Sequence, residues 1–157
     1  MNAHHAAAAQ MAADCLCFRA RRISRTITRM YDDALRPLGL RATQLTLLNA
    51  IELVGAGSGA AMGPLAAVLA MDATTLSRNL RPLVARRWVR LAPAPGDARS
   101  RLARLTPAGE RMIAEALPVW TAAHEQVVST LGSEAAGGLR ALFDATSAPA
   151  EPATAHV

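Results

Sequence analysis

The chain has 157 residues, a length that suits one compact domain or such a domain with an extension that mediates dimerisation. About half of the residues are apolar, which excludes a chain that is disordered as a whole. Only five residues are aromatic, and the alanine- and leucine-rich remainder favours a mainly helical fold. The net charge is +5, and all 17 basic residues are arginine. Because arginine makes planar paired contacts with phosphate and guanine, nucleic acid is the first candidate partner, although a GC-rich genome also favours arginine over lysine.

The sequence predicts a cytoplasmic protein. No apolar run approaches the roughly 20 residues that span a bilayer. The first residues lack the basic region of a secretory signal. Cys15 and Cys17 are too few and too close together to form a disulfide framework.

The N-terminal third predicts one long helix. Residues 1–13 are alanine-rich and predict a poorly ordered or loosely helical lead-in. Asp14 can cap a helix that runs to about residue 35. The apolar residues of this helix recur at helical spacing, and arginines occupy the opposite face. The apolar stripe comprises Leu16, Ala20, Ile23, Ile27, Met30, Tyr31 and Ala34, and the arginine face comprises Arg22, Arg25 and Arg29.

Three shorter helices are predicted next. The first covers about residues 41–54, and the glycine-rich segment 55–61 is a flexible break by composition. Pro64 suits the first position of a short helix. Asp72 is a good N-cap for a helix over residues 73–86.

In that helix Leu76, Leu80, Leu83 and Val84 share one face, which predicts that this face is buried. Thr74, Arg78 and Arg81 share the opposite face, with Thr75 beside them. Pro82 removes a backbone hydrogen bond at a cost of ~3 kcal/mol and predicts a kink.

The C-terminal half predicts a hairpin and two helices. Residues 88–91 and 101–105 are strand candidates joined by a turn-rich tip. Thr106 can cap the next helix, to about residue 131, with Pro107 at its first position. Ser133 can cap a last helix to about residue 145. Two short helices joined by a tight turn and followed by a hairpin match a winged helix-turn-helix.

Three segments in this order resemble the MarR family of bacterial transcriptional regulators. They are LRPLGLRATQLTLLNAI, PLAAVLAMDATTLSRNLRPLVARRWV and GDARSRLARLTPAGE. The third contains the D-x-R-S signature of the wing and the L-T-P-x-G junction between strand and helix. The resemblance covers about residues 14–145.

The resemblance implies a mainly α fold with a small β-hairpin wing. It implies a homodimer in which residues 14–38 and 107–146 form the dimerisation helices and residues 41–106 form the winged helix-turn-helix domain. Residues 1–13 would be a flexible lead-in and residues 147–157 a disordered tail. The implied function is sequence-specific binding of double-stranded DNA at an inverted repeat, by default as a repressor.

The residues that match the family's DNA contacts lie on the predicted recognition helix and on the wing. They are Thr74, Thr75, Ser77, Arg78 and Arg81 on the helix, and Arg99 and Arg101 on the wing, with Asp97 bracing it. Arginine can make two hydrogen bonds to guanine, and an inserted arginine suits a narrow minor groove. The alternatives are a solvated helix face for the arginines and a simple turn residue for Asp97.

Two further groups of residues are candidates for controlling the release of DNA. On one helix Cys15 and Cys17 would point about 200° apart, which excludes a strain-free mutual disulfide. They are either small buried hydrophobic residues or, near several arginines, thiols that sense oxidants. A pocket for a small aromatic carboxylate is the second candidate, with dimer-interface packing as the alternative. Its candidate residues are Phe18, Arg22, Trp120 and His124.

The sequence predicts no enzyme, metal or cofactor. The four histidines are scattered, and none has the spacing of a metal site or of an acid–base pair. One different class stays open, a helical dimer that binds a ligand or a protein and has lost DNA binding.

Overall fold

The structure is a computed structural model that describes residues 2–94 and 96–147, and the side chains of these residues except 97–99, 146 and 147. The helices are α1 Ala3–Asp14, α2 Leu16–Leu35, α3 Ala42–Gly55, α4 Met62–Val68, α5 Ala73–Ala85, α6 Pro107–Leu131 and α7 Ser133–Ser147. The strands are β1 Ala60–Ala61, β2 Val89–Ala94 and β3 Asp97–Leu105, and a short 3-10 helix, Arg36–Leu38, follows α2. Within the described ranges no helix is both long and apolar enough to cross a membrane.

One hydrophobic core joins the long helices to a small lobe. The lobe consists of α3, α4, α5 and the sheet, while α2 packs along α6 and α6 contacts α7. The core runs from Leu35 at the end of α2, through the lobe, to Ala116 on α6. The lobe therefore packs against both α2 and α6 through one continuous core.

The predicted start and buried face of α5 are confirmed. Asp72 caps the helix by accepting the backbone N–H of Thr75 at 2.8 Å. Leu76, Leu80 and Leu83 are at most 1% exposed, so they hold the helix in the core. Val84 does not share this burial, since it is 37% exposed. The helix continues through Pro82 to its end at Ala85.

The sheet has three antiparallel strands in the order β1-β3-β2, and not the two strands of a simple hairpin. The prediction that residues 55–61 are only a flexible break was wrong, because Ala60 and Ala61 pair with Ala103 and Leu102 of β3. The two wing strands are also longer than predicted. Their register pairs Val89 with Leu105 and is interrupted by an irregularity between Pro93 and Ala94.

The start of the long N-terminal helix differs from the prediction. Residues Ala3–Asp14 form a separate helix, α1, whose residues are all exposed, and Asp14 ends it instead of capping α2. The cap of α2 is Cys15, whose backbone is extended and whose Sγ accepts the N–H of Phe18 at 3.4 Å. Arg19 in turn donates to the carbonyl of Ala13 near the end of α1.

Three other helix starts test the capping rules. Thr106 caps α6 by accepting the N–H of Gly109 at 3.2 Å, with Pro107 at the first position, as predicted. Pro64 is not the first residue of α4, since that helix begins at Met62. Ser133 is the first residue of α7 and not the residue before it.

Candidate nucleic-acid interface

The outward face of α5 presents a polar and basic surface. Its exposed side chains are Thr74, Ser77, Arg78 and Arg81, which together with Ala73 line one shallow depression. The three- and four-residue spacing that turns the leucines into the core turns these residues towards solvent. The structure therefore brings four of the five predicted recognition-helix residues together.

Thr75, the fifth residue, is placed differently. It is partly buried, and its hydroxyl donates to Oδ2 of Asp72 at 2.6 Å while its N–H donates to Oδ1. The hydrogen bond from the Thr75 hydroxyl, followed by that from its N–H, lowers the pKa of Asp72. Thr75 thus fixes the first turn of α5.

A cleft of about 690 Å³ separates α5 from the wing. Apolar side chains, among them Met62, Leu80 and Leu91, line it together with Ser77, Arg81 and Arg101. Arg101, which pairs with Pro93 in the wing, therefore lies on the same cleft as Arg81 of α5.

The tip of the wing is the other part of the predicted interface. The backbone from Asp97 onwards belongs to β3. The side chains of Asp97 and Arg99 lie outside the described residues, so the predicted brace and the predicted minor-groove contact stay predictions.

The two cysteines lie at the start of α2, and both are exposed in the single chain. Cys15 lies outside the helix, so the argument that the two thiols point apart on one helix no longer applies. Hydrogen bonding to Cys17, four residues earlier on α2, raises the pKa of Arg21. The spacing of four residues puts Arg21 and Cys17 on the same face of α2.

Two of the four predicted pocket residues belong to an aromatic cluster, which we define as Tyr31, Trp120 and His124. The indole of Trp120 stacks on the imidazole of His124 at 4.9 Å between centroids and on the ring of Tyr31 at 6.4 Å. The Tyr31 hydroxyl is hydrogen-bonded to Nδ1 of His124 at 2.8 Å, and burial raises the pKa of Tyr31. The cluster thus joins α2 to α6.

A small cavity of about 160 Å³ adjoins this cluster, between the long helices and the lobe. Tyr31 and Trp120 line it together with Leu35, Ala42, Leu45, Thr46 and Asn49. Phe18 and Arg22 do not line it, and Phe18 is 52% exposed. The sequence interpretation missed Tyr31, whose hydroxyl was the one polar group in an otherwise apolar stripe.

The stripe of α2 that the sequence predicted as apolar is largely uncovered. With α7 it forms an open groove of about 660 Å³, lined by Leu16, Arg19, Ala20, Ile23, Ser24, Ile27, Thr28, Leu139 and Leu142. Leu16 is 80% exposed, and Leu142 and Phe143 are each 64% exposed. Exposed apolar surface of this extent is typical of a protein–protein interface.

A helix-turn-helix, α4 and α5, followed by a two-stranded wing, β2 and β3, defines the class of winged-helix proteins. Comparison with known proteins places the chain within that class. The model of the MarR family matches residues 38–100. The Mycobacterium tuberculosis transcriptional regulator MosR, solved in complex with DNA, is 32% identical and superimposes with a TM-score of 0.72 over 86% of this chain and 98% of that one. The chain belongs to the MarR family.

Two further relatives support this assignment. A cysteine-to-serine mutant of Escherichia coli MarR, complexed with operator DNA, is 25% identical, with a TM-score of 0.74 over 88% of this chain and 97% of that one. The multiple antibiotic resistance protein MarR of Salmonella typhimurium is 35% identical over 81 residues, which are 52% of this chain and 54% of that protein. The chain thus spans about half the length of this curated relative.

Proposed function

We propose that the protein is a cytoplasmic, sequence-specific DNA-binding transcriptional regulator that acts as a homodimeric repressor. The observation that carries the proposal is the division of α5 into a buried leucine face and an exposed face bearing Thr74, Ser77, Arg78 and Arg81. Packing accounts for the leucines, but it does not require two arginines and two hydroxyls on the other side. Such a face fits the major groove, which admits one helix.

Each part of the surface has a proposed contact. Arg78 makes two hydrogen bonds to a guanine, an interaction that discriminates between bases by about 1–3 kcal/mol. Arg99 enters the minor groove beside it, where a narrow groove concentrates negative potential, and Asp97 braces the wing. Arg81 and Arg101, which share the cleft, contact the phosphates between the two grooves.

The proposed homodimer uses the open groove between α2 and α7. Leu16, Leu142 and Phe143 are large exposed apolar side chains in or beside it, and covering them with a second copy would remove them from water. A twofold dimer presents two copies of α5, and adjacent half-sites then lie about one DNA turn, roughly 34 Å, apart. We expect sedimentation analysis to show a dimer, which a charged substitution such as Ile23→Glu would dissociate.

The proposal is tested by fluorescence anisotropy with duplex DNA from upstream of the gene, compared with a random duplex of equal length. We expect tight binding of the upstream duplex and weaker, strongly salt-dependent binding of the random one. Binding of neither duplex at low salt would favour the alternative, a dimeric ligand- or protein-binding module without DNA binding. Reporter expression that rises when the gene is deleted would establish repression.

A small aromatic carboxylate is one proposed means of release. The aromatic cluster and its cavity lie where α2, α3 and α6 meet, so a ligand that enters there and moves these helices shifts α5 relative to its partner copy. Benzoate and salicylate are suitable probes. We expect them to release wild-type protein from DNA, and Tyr31→Phe, which keeps the ring and removes the hydrogen bond to His124, to require more ligand.

Cysteine oxidation is the second proposed means of release, and Cys17 is its centre because its side chain is exposed and lies one helical turn from Arg21 on α2. Hydrogen peroxide would oxidise the Cys17 thiol to a sulfenic acid, with water as the other product. We expect peroxide to release DNA from wild-type protein but not from Cys17→Ser. Release from the double variant Cys15→Ser/Cys17→Ser would exclude thiol sensing.

A further inference from the structure

Arg86 joins the end of the recognition helix to two other parts of the molecule. It is the residue directly after α5, and its Nη1 donates to the carbonyl of Gly39 at 2.8 Å, although 47 positions separate them. Its guanidinium carbon lies 4.8 Å from the centre of the Trp88 ring. A planar cation is thus held between a carbonyl oxygen and an indole face.

The first contact leads to α2. Gly39 follows the 3-10 helix after α2 and has a left-handed backbone, with φ +63°. A Cβ atom at this position would lie in ordinary van der Waals contact, 3.4 Å from Nη1 of Arg86, so it is the left-handed backbone that favours glycine here. The next residue, Leu40, is buried in the core. The carbonyl that Arg86 binds is therefore on a well-packed connection between α2 and the lobe.

The second contact leads to α6. The carbonyl of Trp88 accepts a hydrogen bond from the backbone N–H of Thr106 at 3.0 Å, and the Thr106 hydroxyl donates to the neighbouring carbonyl of Arg87 at 2.6 Å. Thr106 is the N-cap of α6. Arg86 is thus linked directly to the end of α2 and, through Trp88, to the beginning of α6.

We propose that Arg86 is a positioning residue that sets the angle of α5 relative to α2 and α6. This inference rests on the proposed function, because the angle matters when two copies of α5 must reach successive major grooves. Arg86 follows the last turn of α5, and Arg78 lies two helical turns earlier, so a small rotation at Arg86 displaces the outward face of the helix. Arg86 therefore determines which half-site spacing the dimer accepts.

The test compares Arg86→Gln and Arg86→Lys with Arg87→Gln. Arg87 is the next residue and also exposed, and within the described part of the chain its guanidinium makes no hydrogen bond or ion pair. The DNA is a duplex that the wild-type protein selects from a random library, together with versions that have one base pair added or removed between the half-sites. All variants are measured at a temperature at which circular dichroism shows them to be folded.

We expect Arg86→Gln to bind the selected duplex about tenfold more weakly, as for the loss of a charge-assisted hydrogen bond. The ratio of its affinity for the selected duplex to its affinity for the respaced duplexes falls by a similar factor. Its affinity for random DNA and the salt dependence of binding stay unchanged. Arg86→Lys does not restore the preference, since an ammonium group lacks the planar face that stacks on Trp88. Arg87→Gln retains the wild-type preference.

Two results would overturn the positioning role. One is an Arg86→Gln variant that loses affinity equally for selected, respaced and random DNA and shows a smaller salt dependence, while Arg86→Lys restores both. That result would identify a phosphate contact. The other is an Arg86→Gln variant that keeps the spacing preference of Arg87→Gln. Failure of the wild-type protein to select any duplex overturns the proposed DNA-binding function itself, so the two failures are distinguishable.

Discussion

The backbone of Gly109 lies against the carbonyl oxygen of Trp88, so closely that a Cβ atom at position 109 would come within 2.2 Å of that oxygen. The same carbonyl accepts the backbone N–H of Thr106 at 3.0 Å, which restrains it from moving away. The first turn of α6 is thereby pressed against the residue that precedes β2. This contact gives the L-T-P-x-G sequence a physical reason: threonine caps, proline begins the helix, and glycine allows the close approach.

Gly109→Ala should therefore destabilise the protein by roughly 3 kcal/mol, because the added methyl group meets backbone and not a flexible side chain. Urea unfolding at neutral pH measures the change. Gly138→Ala is the matched control, since a Cβ atom there meets nothing within 4 Å on α7. The control should be neutral or up to about 1 kcal/mol more stable, as for glycine replaced in an open helix. An equal effect of the two substitutions would contradict the close contact.

The turn between α4 and α5 contains a residue in an unfavourable conformation. Ala70 has φ +49°, a left-handed backbone that costs a residue with a Cβ atom about 1–2 kcal/mol. Ala70→Gly should raise the free energy of unfolding by about 0.5–1 kcal/mol, after allowance for the greater freedom of glycine in the unfolded chain. Ala67→Gly, at an exposed position inside α4, should lower it by a similar amount. A loss of stability in both variants would contradict the left-handed turn.

The cap of α5 predicts a pH dependence. The pKa of Asp72 is lowered below its ordinary value of 3.8 by the hydrogen bonds from Thr75, so the folded protein holds the ionised form more strongly than the unfolded chain does. This contribution is fully present above pH 3.8 and is lost as the pH falls through the lower, folded-state pKa. Asp72→Asn keeps a carbonyl acceptor but cannot ionise. The difference in unfolding free energy between wild type and Asp72→Asn should shrink between pH 6 and pH 3, and a constant difference would contradict the assignment.

Local signals in the sequence predicted much of the fold. The Asp72 cap, the buried leucines of α5 and the Thr106-Pro107 start of α6 depend on neighbouring residues only, and all three are confirmed. These features, with the strand candidates, predicted a winged helix-turn-helix, and the comparisons confirm that class and the MarR family. The exposed grouping of Thr74, Ser77, Arg78 and Arg81 follows from the same helical period.

The features that the sequence did not reveal depend on distant partners or on backbone geometry. Ala60 and Ala61 form a strand because β3, about 40 positions later, offers free hydrogen-bonding groups, and two alanines among glycines carry no strand pattern. Cys15 became the cap of α2 because the chain bends there, although Asp14 is the better capping residue type. The contact between Arg86 and Gly39 joins segments 47 positions apart, and no spacing rule indicates it.

The central claim is that the exposed face of α5 reads bases, and Arg78 tests it most directly. We would measure the affinities of Arg78→Ala and of the control Arg140→Ala, on exposed α7, for the selected operator and for random DNA at one salt concentration. Both variants lose one positive charge, so they share any general electrostatic effect. We predict that Arg78→Ala loses about 1–3 kcal/mol on the operator and much less on random DNA, while Arg140→Ala changes little on either. An equal loss on both duplexes for Arg78→Ala would contradict base recognition and leave that arginine a phosphate contact.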